Sequence, residues 1–207
     1  MNQNLSKELV NSIVSSNASQ VYIDIGEALL DTKINDEIIK NIPILSTIYN
    51  LSKAVISISD KLFLKKVMSF LYELNSIDKN KIENFKLKME SDDKFQKKVG
   101  EKLIFIIDKC EDDEKSVIVG KIFKAYLNEK ITYEDFLMLS KSIELLGIWD
   151  INEFKTNKYW DFSWSGNLIA AGLLSQELIR GDERYDSYEY KIDVRISGLG
   201  EKLKNIL

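Results

Sequence analysis

The 207-residue chain contains no histidine. That absence removes Ser-His-Asp and Cys-His activation of a nucleophile, and with it the commonest zinc ligand. The single cysteine, Cys110, cannot close an intrachain disulfide or build a thiolate metal cluster. It lies in IFIIDKCEDD, at the expected end of a helix, and no cationic partner for the thiol is evident apart from the adjacent Lys109. It therefore reads as a half-buried, passive thiol, and the lack of disulfides fits a reducing cytoplasm. No Gly-rich phosphate loop and no GxSxG elbow occurs. The carboxylate pairs Asp92-Asp93, Asp112-Asp113 and Glu134-Asp135 sit where helix caps are expected. The acidic block Glu111 to Glu114 lacks the alternating ligands and central glycine of a calcium loop. No catalytic residue, metal ligand, cofactor or small-molecule substrate is inferred, and no enzyme is expected. The first residues, MNQNLSKELV, carry neither the basic nor the long apolar part of a signal peptide, so a cytoplasmic location is expected.

What is present is the composition of a soluble globular protein: 44% hydrophobic and 30% charged residues. The 29 basic and 33 acidic residues leave a net charge of −4 without a basic block. Bulk charge thus argues against a partner held by phosphate neutralisation. Abundant Ile, Lys and Asn suggest an AT-rich bacterial or phage genome.

The chain is organised around Ile42 to Leu74, IPILSTIYNLSKAVISISDKLFLKKVMSFLYEL. Apolar residues return every three or four positions, the period of a helix. Pro43, the only proline, suits a first helical turn, so a buried helix is expected to start there. A polar break at Ser59-Asp60 and a second, amphipathic helix follow. Ile42 to Ile58 is also the run best suited to a membrane or a partner helix, through Ile44, Ile48, Leu51 and Val55, with Lys65 and Lys66 as lipid contacts. It falls short of the ~20 residues that span a bilayer, and burial in a bundle is the leading reading.

Around that centre the periodicity predicts further helices. The first carries Leu5, Leu9, Val10, Ile13 and Val14, capped by Ser6 or Asn4; a second covers about Gln20 to Leu30. Asp78 begins a Lys-rich helix to about Met89 with Ile82, Phe85 and Leu87 as its apolar residues. The block Ser91 to Asp93 caps a helix to Cys110, in which Gly100 suggests close helix packing. The acidic block caps a helix from about Lys115 to Asn128. Thr132 and Asp135 form a variant capping box for a helix that stops at Gly147, read as a left-handed C-cap.

The texture changes after Gly147. All three tryptophans, Trp149, Trp160 and Trp164, fall with Phe154, Tyr159 and Phe162 in one segment. Two readings stand: an aromatic seam holding the tail onto the bundle, or a surface that stacks bases or binds a peptide. Strands are expected around Glu177 to Arg180 and Tyr188 to Ile196, the second by its alternation, with a last helix from Leu199 to Leu207.

The tail AAGLLSQELIRGDERYDSYEYKIDVRISGLGEKLKNIL resembles the end of a winged-helix domain. Gly172, Leu173 and Leu174, the strand around Tyr190 and Ile192, and Gly198 to Leu207 carry the likeness. It implies a reading helix at Asn167 to Leu174 and wing contacts from Arg180, Arg184, Lys191 and Arg195. That helix contains no Lys or Arg, whereas base and phosphate reading needs donors. The Ile42 to Leu74 stretch is similar to uncharacterised bacterial helical proteins, some found near prophage or antiphage-defence genes, and this likeness supplies no site residues.

The expected architecture is mainly α: a helical bundle over residues 1–147 and a small α+β winged-helix-like tail over 148–207. The expected role is that of a non-enzymatic cytoplasmic adaptor or regulator, linked to phage or antiphage defence, acting through a protein partner or as a homo-oligomer. A membrane-acting effector using Ile42 to Ile58 is the first alternative. A DNA-binding regulator using the wing is the second.

Overall fold

The computed structural model describes residues 3–14, 25, 26, 29, 41–51, 57–180 and 190–207. Among them the chain forms ten helices and one two-stranded antiparallel sheet near the C-terminus. It divides into two compact units, Met1–Lys130 and Ile131–Leu207.

The first unit is a helical bundle of α1 (Gln3–Val14), α2 (Pro43–Leu51), α3 (Ile58–Tyr72), α4 (Lys79–Ser91), α5 (Asp93–Lys109) and α6 (Asp113–Leu127). Helix α1 packs on α5 and α2, and α3 packs on α6. Ser6 is buried inside α1 rather than capping it. Gly100 explains the close approach of α1 and α5: a Cβ there would lie 2.4 Å from the Ser6 carbonyl oxygen. Most of the expected second helix lies outside the described residues, although Ile25 is described and buried.

Pro43 opens α2 as expected. The next orphan donor, the Ile44 N–H, is taken by the Ser12 hydroxyl of α1 at 3.0 Å. The expected break at Ser59-Asp60 is displaced. Ser57 is the N-cap of α3, and Asp60 already sits in its first turn. The Ser57 hydroxyl accepts the Asp60 N–H at 3.1 Å and the Asp60 carboxylate accepts the Ser57 N–H at 3.0 Å, a reciprocal capping box. In α4 the buried residues are Ile82, Phe85 and Met89. Leu87 is exposed, because the face set by positions 82, 85 and 89 turns it outward.

The caps of α5 and α6 are the acidic residues expected. Asp92 accepts the Phe95 N–H at 3.0 Å and Asp112 accepts the Lys115 N–H at 2.9 Å. Helix α6 ends with Glu129 at φ 59°. The Lys130 N–H reaches the Ala125 carbonyl and the Glu129 N–H the Tyr126 carbonyl, the Schellman pattern with glutamate where glycine is usual.

The second unit contains α7 (Tyr133–Leu145), α8 (Ile148–Thr156), α9 (Gly166–Ala170), β1 (Leu174–Arg180), β2 (Tyr190–Ile196) and α10 (Gly198–Lys204). The division between units falls before α7. Helix α7 packs on α10, the Lys202 ammonium meets the Asp135 carboxylate at 2.7 Å, and the Ser142 hydroxyl donates to the Ala171 carbonyl at 2.6 Å. Lys202 foremost, helped by the Thr132 N–H and hydroxyl, holds Asp135 below the usual carboxylate range. Thr132 and Asp135 form the expected capping box. Gly147 is not a left-handed C-cap. Its φ is −72°, and its N–H donates to Asp150 at 3.1 Å, because α8 starts at the very next residue.

Helix α9 ends at Ala170, well before the expected Leu174. Gly172 turns the chain at φ +76°, which releases Leu174 into β1. The strands pair with Leu174 opposite Ile196, Leu178 opposite Ile192 and Arg180 opposite Tyr190. Val194 and Leu174 are buried at the base of this ribbon.

Candidate functional site

The helix weighed as a membrane or partner segment is a core element where it is described, as the bundle reading expects. Ile44, Leu45 and Ile48 are buried, and Leu51 closes α2. Val55 lies outside the described residues. Among those residues no helix is long and apolar enough to cross a membrane. The two lysines assigned to lipid have partners within the bundle. Lys65 pairs with Asp113 at 3.0 Å. Lys66 donates to the carbonyl oxygens of Asp108 at 2.8 Å and Cys110 at 2.7 Å. A cation at the last carbonyls of α5 offsets the negative end of its dipole.

This contact brings a cation to Cys110 that local sequence did not reveal. Lys66, Lys115 and the Ser116 hydroxyl all surround the thiol. Lys115 is itself buried and pairs with Glu111 at 3.0 Å. Burial nonetheless dominates, and it pushes the Cys110 thiol above its ordinary value. The thiol donates to the Ile106 carbonyl at 3.4 Å. Cys110 is therefore a packing residue rather than a nucleophile. In the folded protein it is expected to react with a disulfide reagent at least tenfold more slowly than in denaturant; equal rates would contradict this burial. No group of acidic residues and cysteine able to hold a metal ion occurs among the described residues.

The surface that stands out is built on α8 and the turn after it. Asp150 ties the starts of α8 and α9 together: it accepts the Gly147 N–H and, through both oxygens, the Asn167 side-chain amide at 3.2 and 3.3 Å. Ile151 and Phe154 face inward from α8. The Trp160 ring stacks on Phe154 with centroids 5.4 Å apart. The Lys204 ammonium lies 5.5 Å from the Phe154 centroid and 5.1 Å from that of Trp160, and it donates to the Asn157 carbonyl. Burial, and then the charge of Lys158, lower Lys204 from lysine's usual value. Cation and stacked rings together clamp the far end of α8 to α10.

The chain beyond this clamp is a tight turn. The Asp161 carboxylate accepts the Ser163 N–H at 2.8 Å and the Ser163 hydroxyl, and these bonds hold Asp161 below the usual carboxylate range. The Asp161 carbonyl accepts the N–H groups of Trp164 and Ser165. The turn presents the rings of Phe162 and Trp164 outward, and Tyr159, just before it, is exposed as well. Tyr159 is 88% exposed, Phe162 48% and Trp164 39%. Trp164 lies against Trp160, centroids 5.8 Å apart. Of the aromatic residues singled out in the sequence, Trp160 is half-buried, while Trp149 and Trp164 are exposed.

The expected wing contacts are dispersed. Arg180 closes β1, opposite Tyr190, and Arg184 lies outside the described residues. Lys191 is exposed, opposite Ile179. Arg195, opposite Ser175, forms an ion pair with Asp193 on its own strand. The sequence reading missed the exposed apolar residues of the ribbon, Leu178, Tyr190 and Ile192. Alternation marks a strand, yet it does not say which part of the alternating face is covered. No protein-family model, curated protein or solved structure matches the chain.

Proposed function

We propose that this protein is a non-enzymatic adaptor or regulator that acts through protein contacts, with the segment Tyr159 to Trp164 as its partner-binding surface. The observation that carries the reading is the exposure of Phe162 and Trp164 on a turn whose backbone is pinned by Asp161, and of Tyr159 just before it, beside the clamp of Phe154, Trp160 and Lys204. A seam would bury such rings. Aromatic side chains held open on a rigid base lose little entropy on binding and dominate protein interfaces.

The order of the tail, three helices, a two-stranded ribbon and a closing helix, supports reading it as winged-helix-like and turned to protein contact rather than to DNA. Helix α9 offers no cation, and Arg195 already has an acidic partner. Burial of Ile44 and Ile48, and the engagement of Lys65 and Lys66, weigh against the membrane-acting alternative. The likeness of Ile42 to Leu74 to proteins near prophage and defence genes directs the search for a partner to phage and defence proteins.

The test is quantitative affinity capture with the wild-type chain and with Tyr159→Ser/Phe162→Ser/Trp164→Ser. Each interface ring of this kind is worth about 2 kcal/mol, roughly thirtyfold in affinity. The triple variant is expected to keep its helical content and lose the captured protein. Retention of the same partner by the variant would refute the assignment. Liposome or DNA binding by the wild type that survives the triple substitution would move the function elsewhere.

A further inference from the structure

The ribbon β1–β2 is covered at its base and open beyond it. On one face Leu178 is 64% exposed, Tyr190 63% and Ile192 45%. On the other face Glu177, Ile179 and Lys191 are also exposed. A two-stranded ribbon with neither face covered is marginal in water, and a further strand or a packed helix is what stabilises it. Among the described residues β2 pairs with β1 alone, and the second edge of such a strand can offer its backbone donors and acceptors to a further strand.

We propose that this edge of β2 pairs antiparallel with β2 of a second copy of the chain, about a two-fold axis through Ile192. Charge complementarity selects the partner and the register. A two-fold pairing that keeps both apolar faces on one side must place its axis at a residue. An axis at Asp193 would set Asp193 against itself and Lys191 against Arg195. An axis at Lys191 would set that lysine against itself. The axis at Ile192 sets Lys191 opposite the second copy's Asp193 and Asp193 opposite its Lys191, two ion pairs from one strand. It also sets Ile192 against Ile192 and Tyr190 against Val194. An axis at Val194 matches Asp193 with Arg195, but it sets Lys191 opposite Ser197, with no acidic partner, and leaves Tyr190 beyond the strand, opposite Gly198.

The proposed pairing gives a four-stranded sheet. Directly opposed residues then sit within ordinary cross-strand distance, and Leu178, Tyr190 and Ile192 of both copies join into one apolar face. The arrangement is closed and isologous. Its contact is small, so association belongs at the weak end of specific interfaces. This inference is independent of the aromatic turn, and its failure would leave the partner surface at Tyr159 to Trp164 untouched.

Sedimentation equilibrium over a range of concentrations, followed by native mass spectrometry of mixtures, tests it. The wild-type chain is expected to pass from monomer to dimer in the micromolar range. Lys191→Asp alone sets aspartate against aspartate and Asp193→Lys alone sets lysine against lysine, so each variant is expected to dimerise at least tenfold more weakly. Mixed together they restore both ion pairs, and a heterodimer of the two variants is expected to form more tightly than either homodimer. A heterodimer cannot come from misfolded chains, and circular dichroism matching the wild type guards the converse result. A wild-type monomer at every concentration, a Lys191→Asp dimer as tight as wild type, or well-folded variants that ignore each other would each overturn the proposal.

Discussion

Phe123→Ala is expected to cost the helical bundle about 3–5 kcal/mol, much of the stability that a domain of this size holds. Phe123 is fully buried. Its ring lies 5.6 Å from Phe70 of α3, 5.9 Å from Phe85 of α4 and 5.6 Å from Tyr126 of its own helix. The ring is therefore where α3, α4 and α6 meet. Alanine would remove both the transferred apolar surface and the packing partner of three other rings, and the surrounding backbone of three helices cannot collapse onto so large a void. Urea unfolding followed by far-ultraviolet circular dichroism reads the loss as a lower midpoint at nearly unchanged slope. Leu87→Ala on the exposed face of α4 is the matched control and is expected to stay within about 0.5 kcal/mol of wild type. Equal effects at the two positions would mean that the core does not lie where these rings place it.

Gly200→Ala is expected to destabilise the tail unit by about 2–3 kcal/mol. A Cβ at Gly200 would sit 2.0 Å from the Leu173 carbonyl oxygen and 2.9 Å from Cγ1 of Ile196. That carbonyl cannot swing aside freely, because it also accepts the Ser197 N–H at 3.0 Å. Its position fixes the start of β1 against the start of α10, where the Ser197 hydroxyl accepts the Gly200 N–H at 2.9 Å. Two residues earlier, Gly198 has no atom within 4 Å of where its Cβ would stand. Gly198→Ala is thus expected to be neutral or stabilising by up to about 1 kcal/mol, since alanine favours the helix. All three tryptophans lie in this unit, so their fluorescence reads its unfolding directly. A Gly200→Ala midpoint indistinguishable from that of Gly198→Ala would contradict the close packing of α10 on β1.

Local chemistry was legible in the sequence where its cause is local. Thr132 and Asp135, Asp92, Asp112 and Pro43 act within a few residues of themselves, and the structure places each at the helix start expected of it. Gly147 misled for the same reason: a glycine after a helix suggests a left-handed cap, but the next helix begins at once and sets its backbone as an N-cap. Apolar character alone did not show that Leu87 is exposed, which follows from the face that Ile82, Phe85 and Met89 define. Gly100 announced a close crossing without naming Ser6, since a sequence shows the missing Cβ and not the neighbour. The bond from Lys66 to Cys110 spans 44 residues, and only the packing of α3 beside α5 creates it. The tail's aromatic residues were visible as a cluster, whereas the difference between a seam and a surface depends on which rings the turn at Asp161 points outward. The open half of the ribbon was hidden because period-two alternation looks alike in a covered and an uncovered strand.

The most direct measurement places a photo-cross-linking amino acid at position 162, in the centre of the aromatic turn, and exposes the protein to light in the presence of its cellular partners. A second chain carries the same group at the exposed position 87 of α4. A discrete protein adduct from position 162, absent from position 87 and lost when Tyr159 and Trp164 are both replaced by serine, is the expected result. Adducts of equal yield from both positions, or an adduct from position 162 to lipid or nucleic acid in place of protein, would contradict the reading of this turn as a protein-binding surface.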